Sequence, residues 1–203
     1  MATTLYLIRH GETQNADQRC YKGHIDVPLS AKGENQMKKV ADRIRNVPLS
    51  AIYTSDLQRA RRSAEIVARP HNIKPEIKSP FKERNFGRWE GLTFNECRER
   101  FPEEFNAWVK NPVEASPVGG ESTLDVKNRL VPALEKLLKK LRGETFSIVA
   151  HGGVNRIIIC HLLGMPLQNI FRIEQNFGAL NIIEIWEDAP VVKLINGICY
   201  KTD

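Results

Sequence analysis

A chain of 203 residues, 41% apolar and 27% charged, has the composition of an ordinary globular protein and can bury a core without disulfides or a structural metal. Its formal charge of +6 suits anionic partners. No Lys/Arg run is interleaved with aromatics, and the longest apolar runs, such as residues 157–160, are too short to cross a bilayer, so neither nucleic acid nor membrane is an expected partner.

The N-terminus leads almost directly into an apolar run with no basic region or cleavage site, which reads as a cytoplasmic protein without an export signal. Cys20, Cys97, Cys160 and Cys199 are scattered, with no spacing typical of zinc, and are expected to be reduced thiols. No repeat or linker divides the chain, so one domain over residues 1–203 is expected.

Residues 3–8 form a short apolar run that ends abruptly in Arg9-His10-Gly11, the pattern of a buried strand followed by a loop. Ser30 can cap a helix to about Arg45, with Met37, Val40, Ala41 and Ile44 at helical spacing. Residues 51–53 read as a second strand, Thr54-Ser55-Asp56 as capping residues, and Leu57, Ala60, Ala64 and Val67 as one face of a helix stopped by Pro70. A weaker strand is expected over residues 73–77.

Residues 81–120 mix Gly, Pro, aromatics and charge. Two short helices are expected there, Phe94–Arg100 and one starting at Pro102, where proline suits the first turn. Glu121-Ser122-Thr123 opens a long amphipathic helix to about Leu141. Residues 146–150 are a buried strand ending in His151-Gly152-Gly153, followed by a helix through Leu163 that Gly164 terminates. Residues 179–186 and 191–195 are candidate strands of a hairpin. Strands alternating with helices predict an α/β sheet with helices on both faces.

Two buried strands thus end in histidine followed by glycine. Ligands of open α/β sheets bind beyond the carboxyl ends of strands, and glycine allows tight turns and close approach there. Arg9 precedes His10, and Arg59 follows the 51–53 strand; the fork of an arginine matches phosphate oxygens and keeps its charge. Arg61 and Arg62 adjoin Arg59, and position alone does not say which points inward. Glu83, in Lys82-Glu83-Arg84-Asn85-Phe86-Gly87, gains interest because the leaving alkoxide of a phosphate ester needs a proton donor. Unaided, the residues describe an anion site with two histidines, two or more arginines and a candidate acid.

This pattern resembles the histidine phosphatase (phosphoglycerate mutase-like) superfamily. The resemblance rests on Leu7-Ile8-Arg9-His10-Gly11-Glu12-Thr13, Gly23-His24-Ile25-Asp26-Val27-Pro28-Leu29-Ser30, Tyr53-Thr54-Ser55-Asp56-Leu57-Gln58-Arg59-Ala60, Glu83-Arg84-Asn85-Phe86-Gly87-Arg88-Trp89-Glu90-Gly91, Gly119-Gly120-Glu121-Ser122 and Val149-Ala150-His151-Gly152-Gly153-Val154. It implies a three-layer αβα sandwich with a mostly parallel central sheet. It also implies His10 as nucleophile, Arg9, Arg59 and His151 around the phosphoryl group, and Glu83 as general acid and base, with no metal or other cofactor. Substrate contacts are expected from Asn15, Lys22, Gly23 and Gly152. Two departures stand out: Asn15 comes early in its loop without the usual preceding Trp, and Lys22 stands where Gln is common.

The short middle segment resembles the compact phosphatase branch rather than the mutases, which usually carry a longer insert before the Gly-Glu-Ser block. Non-catalytic relatives generally lack one of the core histidines or arginines, and this chain has them all. Within the branch, His151-Gly152-Gly153-Val154-Asn155-Arg156 and Leu163-Gly164-Met165-Pro166-Leu167 resemble α-ribazole-5′-phosphate phosphatases, while phosphoserine and broad-specificity phosphatases share the frame. A small phosphorylated metabolite is the expected partner. Arg88, Trp89 and Trp108 are candidates for the pocket wall or for core packing, and strands after Trp186 for pairing across a homodimer.

Overall fold

The structure is a computed structural model that describes residues 1–187 and 189–200. Six strands form one sheet: β1 (Thr3–Arg9), β2 (Ala51–Thr54), β3 (Glu76–Ile77), β4 (Thr145–Ala150), β5 (Leu180–Trp186) and β6 (Ala189–Gly197), in the order β3-β2-β4-β1-β5-β6. The pairings from β3 through β1 are parallel, and β5 runs antiparallel to both its neighbours. The sheet is therefore mostly parallel, as expected.

Side chains alternate across the strands, and each face is closed by its own helices. Leu5, Leu7, Phe146 and Ile148 pack on one face under α5 (Thr123–Lys140) and α6 (Gly152–Leu162). Ile8, Ile52 and Val149 pack on the other under α1 (Ala31–Ile44) and α2 (Gln58–Ala68). Each fully buried aliphatic side chain contributes about 1.5–3 kcal/mol, and these two clusters hold the three layers together. A satellite cluster of Trp89, Cys97 and Phe105 fastens α3 (Phe94–Arg100) and α4 (Pro102–Lys110) beside the sheet.

Among the described residues, side-chain caps fix half of the α-helix starts. The Ser30 hydroxyl accepts from Gly33 N at 3.0 Å, and Ser122 forms a capping box with Asp125. The start of α2 differs from expectation. Its N-cap position is Leu57, and the first amide, Gln58 N, donates at 2.8 Å to Asp26 Oδ1 from a distant loop. The strand expected over 73–77 shortens to Glu76–Ile77, both exposed at the sheet edge, and Pro70 lies inside a 3₁₀ turn that continues α2. The 179–195 hairpin is present and longer than expected, with β6 as an edge strand. Among the described residues no helix is long and apolar enough to cross a membrane.

Strand order creates the crevice. β1 and β4 are neighbours in parallel register, Arg9 opposite Ala150, so the next residues, His10 and His151, emerge side by side. From β1 the chain turns to the α1 face, and from β4 it turns to the opposite face into α6. A cleft opens where the two directions diverge.

Candidate active site

His10 and His151 lie with ring centroids 5.1 Å apart, 4% and 0% exposed respectively. His10 Nδ1 is 2.7 Å from Gly11 O, and a carbonyl can only accept, so Nδ1 carries the hydrogen. That leaves the lone pair on Nε2. Burial, and then the charges of Arg59 and Arg9, push the His10 pKa well below its ordinary value, so the ring is neutral near pH 7. A neutral imidazole with a fixed tautomer is a competent nucleophile.

His151 is held through its other nitrogen. Its Nε2 lies 2.7 Å from Ser55 Oγ, while that oxygen also accepts from Leu57 N at 3.4 Å. Ser55 Oγ and His151 Nε2 share one hydrogen bond, whose donor is set by the tautomer of the ring. Burial, followed by Arg59 and His10, holds the His151 pKa well below the usual range. Nδ1 is buried with no partner in the protein.

The arginines are committed to the cleft. Arg9 donates through Nη1 to Gln175 O, its guanidinium lies 4.0 Å over the Phe177 ring, and its Nε is buried without a partner. Burial lowers the Arg9 pKa to about 10, opposed by the Glu83 charge, so it stays cationic near pH 7. Arg59 is 2% exposed and donates to Ile25 O at 2.8 Å and Gly23 O at 2.6 Å. Each of its terminal nitrogens retains a second N–H. The structure thereby settles which arginine of the 59–62 group points inward. Arg61 is exposed, and Arg62 pairs with Glu34 at 2.7 Å, tying α2 to α1.

Glu83 reaches the same cleft from the 3₁₀ turn after β3. Its Oε2 accepts from Gly153 N at 3.1 Å, at the start of α6, and its Oε1 accepts from Arg84 N at 2.9 Å. Its carbonyl is held by His24 Nε2 at 2.8 Å and Arg129 Nη2 at 3.0 Å. A Cβ on residue 153 would stand 2.6 Å from Glu83 Oε1, so glycine there gives the carboxylate its place.

Arg9, His10, Arg59 and Glu83, with Lys22 and Gly23, line one cavity of about 360 Å³. Gly23 has φ +47, and a Cβ there would meet Glu90 Oε1 at 2.0 Å. Gly152 lies against the Arg9 guanidinium and lines a smaller adjoining cavity. His151 sits behind this surface rather than on it. Asn15 is exposed and outside the lining, where Thr13 and Ala16 stand instead. Trp89 is core, Arg88 is exposed and paired with Glu104, and Trp108 borders the adjoining cavity. Sequence reasoning did not single out Ser55, His24, Phe177 or Gln175 for the site. Ser55 and His24 had a signal, their place in the segments that carry the family resemblance.

Two fixed cations, a lone-pair imidazole and a carboxylate around one cavity, with a second imidazole buried behind it, form a site for a tetrahedral dianion and its transfer. The chain matches the histidine phosphatase superfamily (branch 1) over residues 5–197. It is 31% identical to the adenosylcobalamin/alpha-ribazole phosphatase of Salmonella typhimurium, over 95% of this chain and 96% of that protein. Identity to phosphoserine phosphatase 1 of Hydrogenobacter thermophilus is 30%, over 97% and 93%. A putative alpha-ribazole-5′-P phosphatase from Escherichia coli superposes with a TM-score of 0.90 at 26% identity, covering 100% of both chains. This chain belongs to the histidine phosphatase superfamily.

Proposed function

We propose that this phosphatase hydrolyses phosphomonoesters of small metabolites through a phosphohistidine at His10. The observation that carries the reading is the His10 tautomer: Nδ1 is tied to Gly11 O, and Nε2 holds its lone pair in the cavity shared with Arg9, Arg59 and Glu83. In the first step Nε2 attacks phosphorus, the bond to the leaving oxygen breaks, and Glu83 gives that oxygen its proton. In the second, the Glu83 carboxylate takes a proton from water, the water oxygen attacks phosphorus, and the P–N bond electrons return to His10. Arg9 and Arg59 stabilise the equatorial oxygens in both steps, with His151 behind them against the His10 ring.

No step requires a metal, because guanidinium charge supplies the electrostatic stabilisation. Among the described residues no three His, Cys, Asp or Glu side chains gather into a group that could hold an ion. For the physiological substrate we propose α-ribazole-5′-phosphate, a reading supported by the relatives that carry that name; L-phosphoserine is the rival by the same kind of support.

Phosphate release in excess EDTA from α-ribazole-5′-phosphate, L-phosphoserine, 3-phosphoglycerate and 4-nitrophenyl phosphate tests the reading. The expected result is release from the aryl ester and a preference for α-ribazole-5′-phosphate. Activity lost on chelation and restored by Mg²⁺ contradicts it. So does isomerisation of 3-phosphoglycerate without phosphate release.

A further inference from the structure

Next to the phosphate cavity lies a second one of about 210 Å³. The two share Arg9, Tyr21, Glu83 and Phe86, while only the first has His10 and Arg59. In-line displacement puts the leaving oxygen opposite His10 Nε2, and the group that protonates that oxygen must stand beside it. Glu83 borders both cavities, so a substrate whose phosphoryl group faces His10 carries its remaining atoms past Glu83 into the second.

The walls of that chamber combine aromatic and aliphatic side chains with three arginines. Trp108 from α4 and Phe171 meet edge to face, centroids 5.8 Å apart, and Ile157 and Ile170 complete an apolar surface. Arg156 contributes a planar guanidinium whose Nε donates to Ile173 O at 2.6 Å; among the described residues its terminal nitrogens have no hydrogen-bond partner. Trp108 Nε1 is also buried without an acceptor. The wall therefore combines ring surfaces with unmet donors.

Charge narrows the choice further. Glu83 is the one acid lining either cavity, and both its oxygens already accept backbone N–H groups. An ammonium group on the substrate would have Glu83 as its one counter-charge there and would face Arg9, Arg84, Arg156 and Lys22.

We propose that this chamber binds the alcohol portion of the substrate and selects phosphomonoesters bearing a planar apolar ring over those of small zwitterions. The proposal rests on the phosphatase reading above only for the direction in which the leaving group points. It makes Trp108, Phe171 and Arg156 the residues that determine specificity.

Calorimetric titration of the His10→Ala chain, which keeps the ester intact, tests it with 1-naphthyl phosphate and L-phosphoserine. The expected result is about tenfold or tighter binding of the naphthyl ester, from burial of its ring. Adding Trp108→Ala or Phe171→Ala should move the ratio of dissociation constants toward one. Trp108→Ala risks the packing of the Trp89 cluster. Phe171, which is 58% exposed, does not carry that risk. Equal or tighter binding of L-phosphoserine, binding of neither ester, or a ratio unmoved by Phe171→Ala overturns the proposal. Turnover by the wild-type chain separates the two readings. Hydrolysis without ring preference sinks the chamber alone, and ring preference without hydrolysis sinks the chemistry alone.

Discussion

The His10→Ala chain should lose hydrolysis of every phosphomonoester by about 10⁴-fold or more while remaining folded, because loss of a covalent nucleophile removes the pathway rather than one contact in it. The fold is expected to persist. His10 lies just past the end of β1, and its one side-chain hydrogen bond goes to its neighbour Gly11. Strand pairing and both core clusters are untouched by the change. Circular dichroism and thermal melting check the fold, and phosphate release checks the chemistry. Turnover within tenfold of wild type would mean that the buried, neutral imidazole is structural.

Glu83→Gln should produce the second large effect, and the leaving group should decide its size. Alkyl phosphates need a proton on the departing oxygen, so their kcat should fall about 10²–10⁴-fold. A nitrophenolate leaves without one, so 4-nitrophenyl phosphate should still transfer its phosphoryl group. With water activation impaired, rapid mixing should then show a burst of nitrophenolate followed by slow turnover. The substitution also costs a contact. Gly153 N and Arg84 N each donate to one carboxylate oxygen, and an amide offers a single acceptor. A stability loss on the order of 1 kcal/mol is expected. Equal losses for alkyl and aryl esters, with no burst, would give Glu83 a positioning role rather than proton transfer.

Much of the fold was readable because burial leaves a regular trace. The apolar runs of β1 and β4 are interior strands of the sheet, and Met37, Val40 and Ile44 repeat at the helical period because one face of α1 meets that sheet. The misreadings have a common cause in partners distant in sequence. The first amide of α2 is satisfied by Asp26, which no local capping rule anticipates. β3 is a two-residue edge strand that neighbours bury too little to fix its length.

The site divides in the same way. His10, His151 and Arg59 sit one step beyond strands or at a helix start, and topology alone brings them to one cleft. Glu83 reaches it from an irregular segment, so its place depended on a resemblance rather than on periodicity. Ser55, which hydrogen-bonds His151, and Phe177, which supports Arg9, act through contacts that appear only when the sheet is assembled. Asn15, a polar residue near the motif, is exposed with its backbone in the left-handed region and lies outside the cavity lining.

The most direct measurement is detection of the covalent intermediate. The wild-type chain would be mixed rapidly with 4-nitrophenyl phosphate and quenched in alkali, where a phosphoramidate bond survives and most acyl phosphates do not. Mass spectrometry of the digest should find one phosphoryl group on the peptide containing His10, and none in the His10→Ala chain. Steady turnover with no phosphorylated peptide, or with the label on another residue, would contradict the mechanism.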